Sequence, residues 1–152
     1  MNNEYRLRFA GWPQDMAPLR DVRTRVFIEE QRVPQEEEWD GADDECIHVL
    51  AVDANERPIG TGRLLPDGKI GRMAVLKEWR GKGVGGAILR SLMEEAGAQG
   101  FTEVKLAAQT QAVSFYERFG FETFGKEFME AGIPHRWMKA KLDAEAAAHD
   151  ER

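Results

Sequence analysis

The chain has a single cysteine, Cys46, among its 152 residues. One thiol excludes an internal disulfide and agrees with a reducing cytoplasm. No apolar run approaches the ~20 residues that a membrane-crossing helix needs. The opening Met1-Asn-Asn-Glu-Tyr-Arg6 lacks the basic and apolar regions of a secretory signal. A cytoplasmic location with no membrane partner is therefore expected. Excess positive charge is also missing: the formal net charge is −6, which argues against nucleic-acid binding. There is no internal repeat and no linker, and no metal site is expected. The length suits one domain over 1–142 with a sizeable core. An alanine-rich, polar tail over 143–152 is expected to fray, leaving His149 without a role.

What is present is patterned. Tyr5, Leu7 and Phe9 alternate with Arg6 and Arg8, the period of a half-buried strand. Asp15 offers an N-cap to a helix running to about Gln31, with Leu19, Val22, Val26 and Phe27 on one face. Val33-Pro34 breaks that helix. The acidic stretch over 35–45 reads either as a solvated loop or as a funnel for a cation such as an amine. Cys46–Val52, Ile59–Leu65 and Lys69–Leu76 read as strands joined by short turns, hence antiparallel neighbours. Val84, Ala87, Ile88, Leu92 and Ala96 recur at helical spacing, with Arg90, Glu94 and Glu95 on the other face, until Gly100. A strand over Glu103–Ala108, a short helix over Ala112–Phe119 and strands over Phe121–Phe128 and His135–Leu142 complete the order. The succession βα–β–β–β–α–β–α–β–β predicts an α+β fold, not a repeating βαβ one.

The richest segment runs from Arg72 to Ala87: an apolar strand, a turn, a basic glycine loop and a helix start. Glycines at 81, 83, 85 and 86 leave backbone N–H groups uncovered, and the helix opening near Val84 aims its positive end into the same space. Arg80 and Lys82 add two formal charges. Such a loop suits the diphosphate of a nucleotide-like cofactor. Gly81-Lys-Gly-Val-Gly-Gly86 also fits the dinucleotide fingerprint, but that motif belongs directly after the first strand of a βαβ series. Here it follows three hairpin-linked strands. A P-loop is excluded because glycine, not Ser or Thr, follows Lys82. A second cluster, Ala107 to Phe121, places Phe119 and Gly120 as core and helix stop. It also holds Tyr116, whose hydroxyl needs a partner or water.

These two clusters together resemble the GNAT superfamily of acetyl-CoA-dependent N-acetyltransferases. Its Gln/Arg-x-x-Gly-x-Gly/Ala pattern matches Arg80-Gly-Lys-Gly-Val-Gly85, and its Phe-Tyr-x-x-x-Gly-Phe pattern matches Phe115-Tyr116 through Gly120-Phe121. Arg25 to Pro34, Ala108-Gln-Thr-Gln111 and Ala131-Gly-Ile-Pro-His135 are similar to the ElaA/YjcF-like branch. The likeness spans roughly 5–142. It implies a GNAT-like fold, a central mixed, mostly antiparallel sheet of about six or seven strands flanked by about three or four helices.

The resemblance also implies acetyl-CoA as co-substrate and no metal. The pantetheine arm would lie on the open edge of the fourth strand, at Met73, Ala74 and Val75. The diphosphate would lie on Arg80, Gly81, Lys82, Gly83, Val84, Gly85 and Gly86. Phe115 and Gln109 complete the expected coenzyme contacts, with Gln111 as the alternative where many relatives carry Asn. Acetyl transfer needs a neutral amine, a polarised carbonyl and a proton for the departing thiolate. The Val75 N–H or a neighbour suits the developing oxyanion, and Tyr116 is the expected general acid. Glu30 and His135 are the leading candidates for base or substrate contact; Glu29, His48 and a water chain remain open. His48, in an apolar strand, reads rather as a satisfied core histidine, and Cys46 as an inert thiol. The expected activity is direct acetyl transfer to a cationic primary amine, on a small molecule or a peptide, with a homodimer left open. The rivals are a non-catalytic acyl-CoA sensor and, further off, an NAD(P)-binding domain.

Overall fold

The computed structural model describes residues 3–142, so the expected tail and His149 lie outside the described residues. The elements are β1 (Tyr5–Ala10), α1 (Met16–Arg23), a π-helical segment (Thr24–Glu30), the short α2 (Gln35–Glu38), β2 (Ile47–Asp53), β3 (Pro58–Leu64) and β4 (Ile70–Val75). They continue with α3 (Val84–Ala98), β5 (Glu103–Gln109), α4 (Val113–Glu117), β6 (Glu122–Glu130) and β7 (Ile133–Lys141). This is the α+β order that hydrophobic periodicity predicts.

The strands form two antiparallel sheets, β1-β2-β3-β4 and β5-β7-β6. They touch through a parallel bridge between Lys69 and Lys105, and beyond it β4 and β5 part. The cause lies in β4. Its register against β3 slips by one residue between Gly71 and Ala74, with Arg72 in the left-handed region at φ 49°. A bulge of this kind bends a strand and sharpens its twist, which carries Met73–Val75 away from β5 and leaves their outer edge open.

Helix α3 covers the first sheet through Val84, Ile88, Leu89, Leu92 and Ala96, all nearly inaccessible. It lies close because β3 carries Gly62, where a Cβ would stand 2.8 Å from both Ile88 and Met73. Tyr116, Phe121, Leu106 and Met138 join the same core from the second sheet and α4.

Three local expectations are corrected. Asp15 does not cap α1; its carboxylate accepts from the Gly11 N–H (2.8 Å) and from Arg8 (3.1 Å) instead. The first helix widens to π geometry from Thr24, and the Gln31 N–H bonds to Val26 O five residues back (3.0 Å). The β6–β7 turn is Ala131-Gly132, both at positive φ (52° and 75°), the two-residue hairpin geometry. His135 is therefore not a strand start. It is interior to β7, the central strand, paired with Gln109 and Phe128.

The acidic 35–45 stretch is solvated only in part: Glu36, Glu37, Asp44 and Glu45 are exposed. Its other three acids, Glu38, Asp40 and Asp43, are neutralised by arginines. Arg23, 1% exposed, donates to Glu38 (2.7 Å) and Asp43 (2.6 Å). Arg63 donates to Asp43 (2.8 Å) and Asp40 (2.6 Å). Arg72 reaches Glu38 (3.1 Å) and Asp40 (3.3 Å) from the bulge. Helical spacing alone hides Arg23, which sits on the buried face beside Val22 and Val26 because the acids meet it there.

Candidate active site

Two cavities flank the parting of the sheets, of about 800 Å³ and about 600 Å³. Their shared wall consists of Met73, Ala74, Val75, Arg80, Ala112 and Tyr116. The open edge of β4 and the Tyr116 ring therefore stand where one cavity passes into the other.

The smaller cavity is built on the glycine loop. Gly81 and Gly83 hold positive φ (77° and 86°), which other residues adopt only under strain. Gly83 caps α3 without any side-chain hydrogen bond, so the first N–H groups of a fifteen-residue helix remain available to an anion. A Cβ on Gly86 would stand 2.9 Å from Phe119. Gly85 differs: a Cβ there would meet only ordinary contacts, 3.5 Å from Phe115 and 3.7 Å from Val75. Packing does not require glycine at 85, whereas close approach of a ligand to the backbone would.

The charges of this loop are arranged differently from the sequence expectation. Arg80 donates to Val75 O (3.0 Å) and holds Glu30 in a two-pronged ion pair (2.7 and 2.6 Å). Lys82 does not line either cavity; it donates to Asn3 (2.9 Å) and lies over Trp79. The cations that do line the smaller cavity, besides Arg80, are Arg90 and Arg118. Sequence reasoning placed Arg90 on the solvent face and passed over Arg118. The available signal was spacing, since Arg90 is one turn beyond Gly86 and Arg118 three residues beyond Phe115. Phe115 lines this cavity, but Gln109 and Gln111 line the larger one, bonded to each other (2.6 Å), with Gln109 also bonded to Gln31 (2.7 Å).

The larger cavity gathers Val26 and Phe27 from the π segment, Gln31 directly after it, Glu36 and Glu37 from α2, and Glu130 and His135 from the β6–β7 hairpin. His135 is 7% exposed. Its Nδ1 lies 2.7 Å from Ile133 O, a contact that places the proton on Nδ1 and leaves Nε2 as the acceptor, with the Glu130 carboxylate 3.8 Å from it. Tyr116 is 9% exposed, and its hydroxyl has no hydrogen-bond partner among the described residues. Burial pushes its phenol up to about 12.

The remaining candidates fall outside this arrangement. Glu30 does not line either cavity, and the Arg80 hydrogen bonds hold its carboxyl below the usual range. It is engaged as an ion-pair partner, which makes it a poor base. Glu29 is exposed and away from both cavities. His48 is a core residue, 1% exposed, bonded to Asp43 O (2.8 Å) and stacked on Trp12, with burial lowering its pKa. Cys46 lines neither cavity, and burial pushes its thiol up to about 11.

Residues 16–142 match the acetyltransferase (GNAT) domain family. The chain belongs to the GNAT family. This GNAT protein is 46% identical over 121 residues to the uncharacterized N-acetyltransferase YjcF of Bacillus subtilis, across 77% of this chain and 86% of the relative. Its fold is similar to that of ElaA from Escherichia coli (TM-score 0.79, 26% identity, 90% of this chain and 99% of the other). It is equally similar to an acyl-CoA N-acyltransferase from Pseudomonas aeruginosa (TM-score 0.78, 26% identity, the same coverage of 90% and 99%). The protein is an acyltransferase of the ElaA/YjcF-like branch of GNAT enzymes. Its glycine loop fits the family's coenzyme A: uncapped helix N–H groups, a glycine at 85 that packing does not demand, and a cavity without a single acidic lining residue. No helix among the described residues is long and apolar enough to cross a membrane.

Proposed function

We propose that this enzyme moves an acetyl group from acetyl-CoA directly to a primary amine that is cationic when free, on a small molecule or a peptide. The observation that carries this reading is the shared wall: the two cavities meet only along Met73–Val75, Arg80, Ala112 and Tyr116. A donor lying in the glycine-loop cavity and an acceptor in the larger one would present their reacting groups to each other there. Acetyl-CoA supplies the activated thioester; the chain supplies position and protons.

The loop over Gly81–Gly86 holds the diphosphate through backbone N–H groups, and the β4 edge at Met73, Ala74 and Val75 holds the pantetheine arm. The Val75 N–H, or its neighbour's, polarises the carbonyl from a site shielded by Tyr116. The Tyr116 hydroxyl, uncommitted to any described residue, donates toward the departing sulfur. His135 Nε2 accepts the proton of the incoming ammonium. With Glu38 and Asp40 neutralised by arginine, Glu36, Glu37 and Glu130 face only Lys69 as an uncompensated cation among the cavity's lining residues. That residual negative charge favours an ammonium over a carboxylate acceptor. Direct transfer is favoured because the only thiol, Cys46, lies outside both cavities and holds its proton to about 11.

The test is thiol release from acetyl-CoA across amino acids, polyamines, aminoglycosides and peptide N-termini, with calorimetric binding of CoA and NADPH alongside. Turnover on amines with CoA binding supports the reading. Tight CoA binding with no turnover would make the protein an acyl-CoA sensor, and preference for NADPH would overturn the coenzyme assignment.

A further inference from the structure

The smaller cavity contains a feature that the glycine loop does not use. Arg90 and Arg118 line it, both are exposed, and neither has an ion-pair or hydrogen-bond partner among the described residues. Two uncommitted guanidinium groups in one cavity are unexpected in a chain of net charge −6. None of the residues lining that cavity is acidic.

The two arginines are also oriented. Arg90 lies over the Phe119 ring (5.4 Å) and Arg118 over Phe115 (5.5 Å), and these rings are 5.2 Å apart. Each guanidinium thus rests on one member of a ring pair in the cavity wall, a contact that holds a cation in place without neutralising it. The Arg90 Nη2 stands 3.9 Å from the position a Cβ would take on Gly86. Its Cα lies one turn further along α3, about 6 Å beyond the loop at the helical rise per residue.

We propose that Arg90 and Arg118 form a phosphomonoester subsite at the mouth of the cavity, which takes the 3′-phosphate of coenzyme A. The inference rests on the coenzyme reading above. The helix N-terminus and loop amides would serve the diphosphate. A dianionic monoester further along the same ligand then meets groups whose planar donor forks match phosphate oxygens. Nothing else lining the cavity, apart from Arg80 already held by Glu30, offers positive charge.

Calorimetry with CoA and with 3′-dephospho-CoA, on the wild-type chain and on the Arg90→Gln/Arg118→Gln double variant, tests this. Both positions are exposed, and an unchanged melting temperature confirms that the variant is folded. The wild type is expected to bind CoA about tenfold tighter than the dephospho form, the combined effect of two solvent-accessible charge pairs. That preference should shrink as salt rises from about 0.05 M to about 0.5 M. The double variant should bind the two ligands equally, at the wild-type level for 3′-dephospho-CoA. Equal affinities in the wild type, or a preserved preference in the variant, would overturn the subsite. Failure of the wild type to bind either ligand would instead overturn the coenzyme reading beneath it.

Discussion

Replacing Tyr116 with Phe removes one oxygen and leaves the ring among Phe115 (5.1 Å) and Phe121 (5.9 Å). The hydroxyl bonds to no described residue, so its loss should change stability by no more than about 1 kcal/mol. Its chemistry is another matter. At about 12 the phenol is protonated throughout the working range. Against a thiol of ordinary pKa about 8.5, a full proton transfer would be uphill by about 3.5 pH units, or roughly 5 kcal/mol. Burial raises thiols as well as phenols, however. A departing thiolate desolvated beside Tyr116 is more basic than one in water, which narrows that gap and favours general acid catalysis. Tyr116→Phe is expected to lower kcat by about 10²–10³-fold, while CoA affinity stays within about twofold and the melting temperature barely moves. Thiol release, CoA calorimetry and a thermal melt measure the three quantities. A kcat within about threefold of wild type, with binding intact, would refute the general-acid role.

Gly85→Ala separates folding from binding. With only ordinary contacts awaiting its methyl and a better helix former in place, the melting temperature should hold or rise while CoA affinity falls at least about tenfold; unchanged affinity would remove the loop from the coenzyme site. Glu30→Gln should leave the shape of the kcat/KM pH profile intact, because Glu30 serves Arg80 and not the proton transfer; loss of the low-pH limb would restore it as the base. His135→Gln should lower kcat by about 10²-fold or more, an effect that a merely structural histidine would show in the melt instead. Arg23→Met takes away the shortest ion pairs of buried Glu38 and Asp43, leaving them only Arg72 and Arg63, and should cost up to about 3 kcal/mol in denaturant unfolding. Acid should unfold the chain through the same network. Burial raises Asp43, but hydrogen bonds and charge from Arg23 and Arg63 prevail and hold it below 3.8. The unfolded chain thus takes up protons first, and stability present above about pH 4 is lost on descending below it. Glu38, pushed up by burial, has the opposite sign and offsets part of that loss. A melting temperature that rises on going from pH 5 to about pH 3 would contradict this assignment.

The order of elements was legible in the sequence because each element buries one face, and burial leaves a period of two or of about 3.6. The glycine loop was legible for a related reason: positive φ and bare N–H groups restrict the residue types that can occupy Gly81 and Gly83. Both are local requirements. What the sequence could not decide depends on partners distant along the chain. Arg80 reads as a free phosphate ligand until Glu30, fifty positions away, closes on it. The acidic run reads as surface until Arg23, Arg63 and Arg72 arrive from a helix and two strands to neutralise its middle. Arg90 and Arg118 read as solvated charges until α3 and α4 turn them onto one aromatic wall. Sequence alone determined which residues could build a backbone cradle for an anion. Only tertiary structure decided which charges remain free to serve it, because a charge is spent or available according to what stands within a few ångströms of it in space.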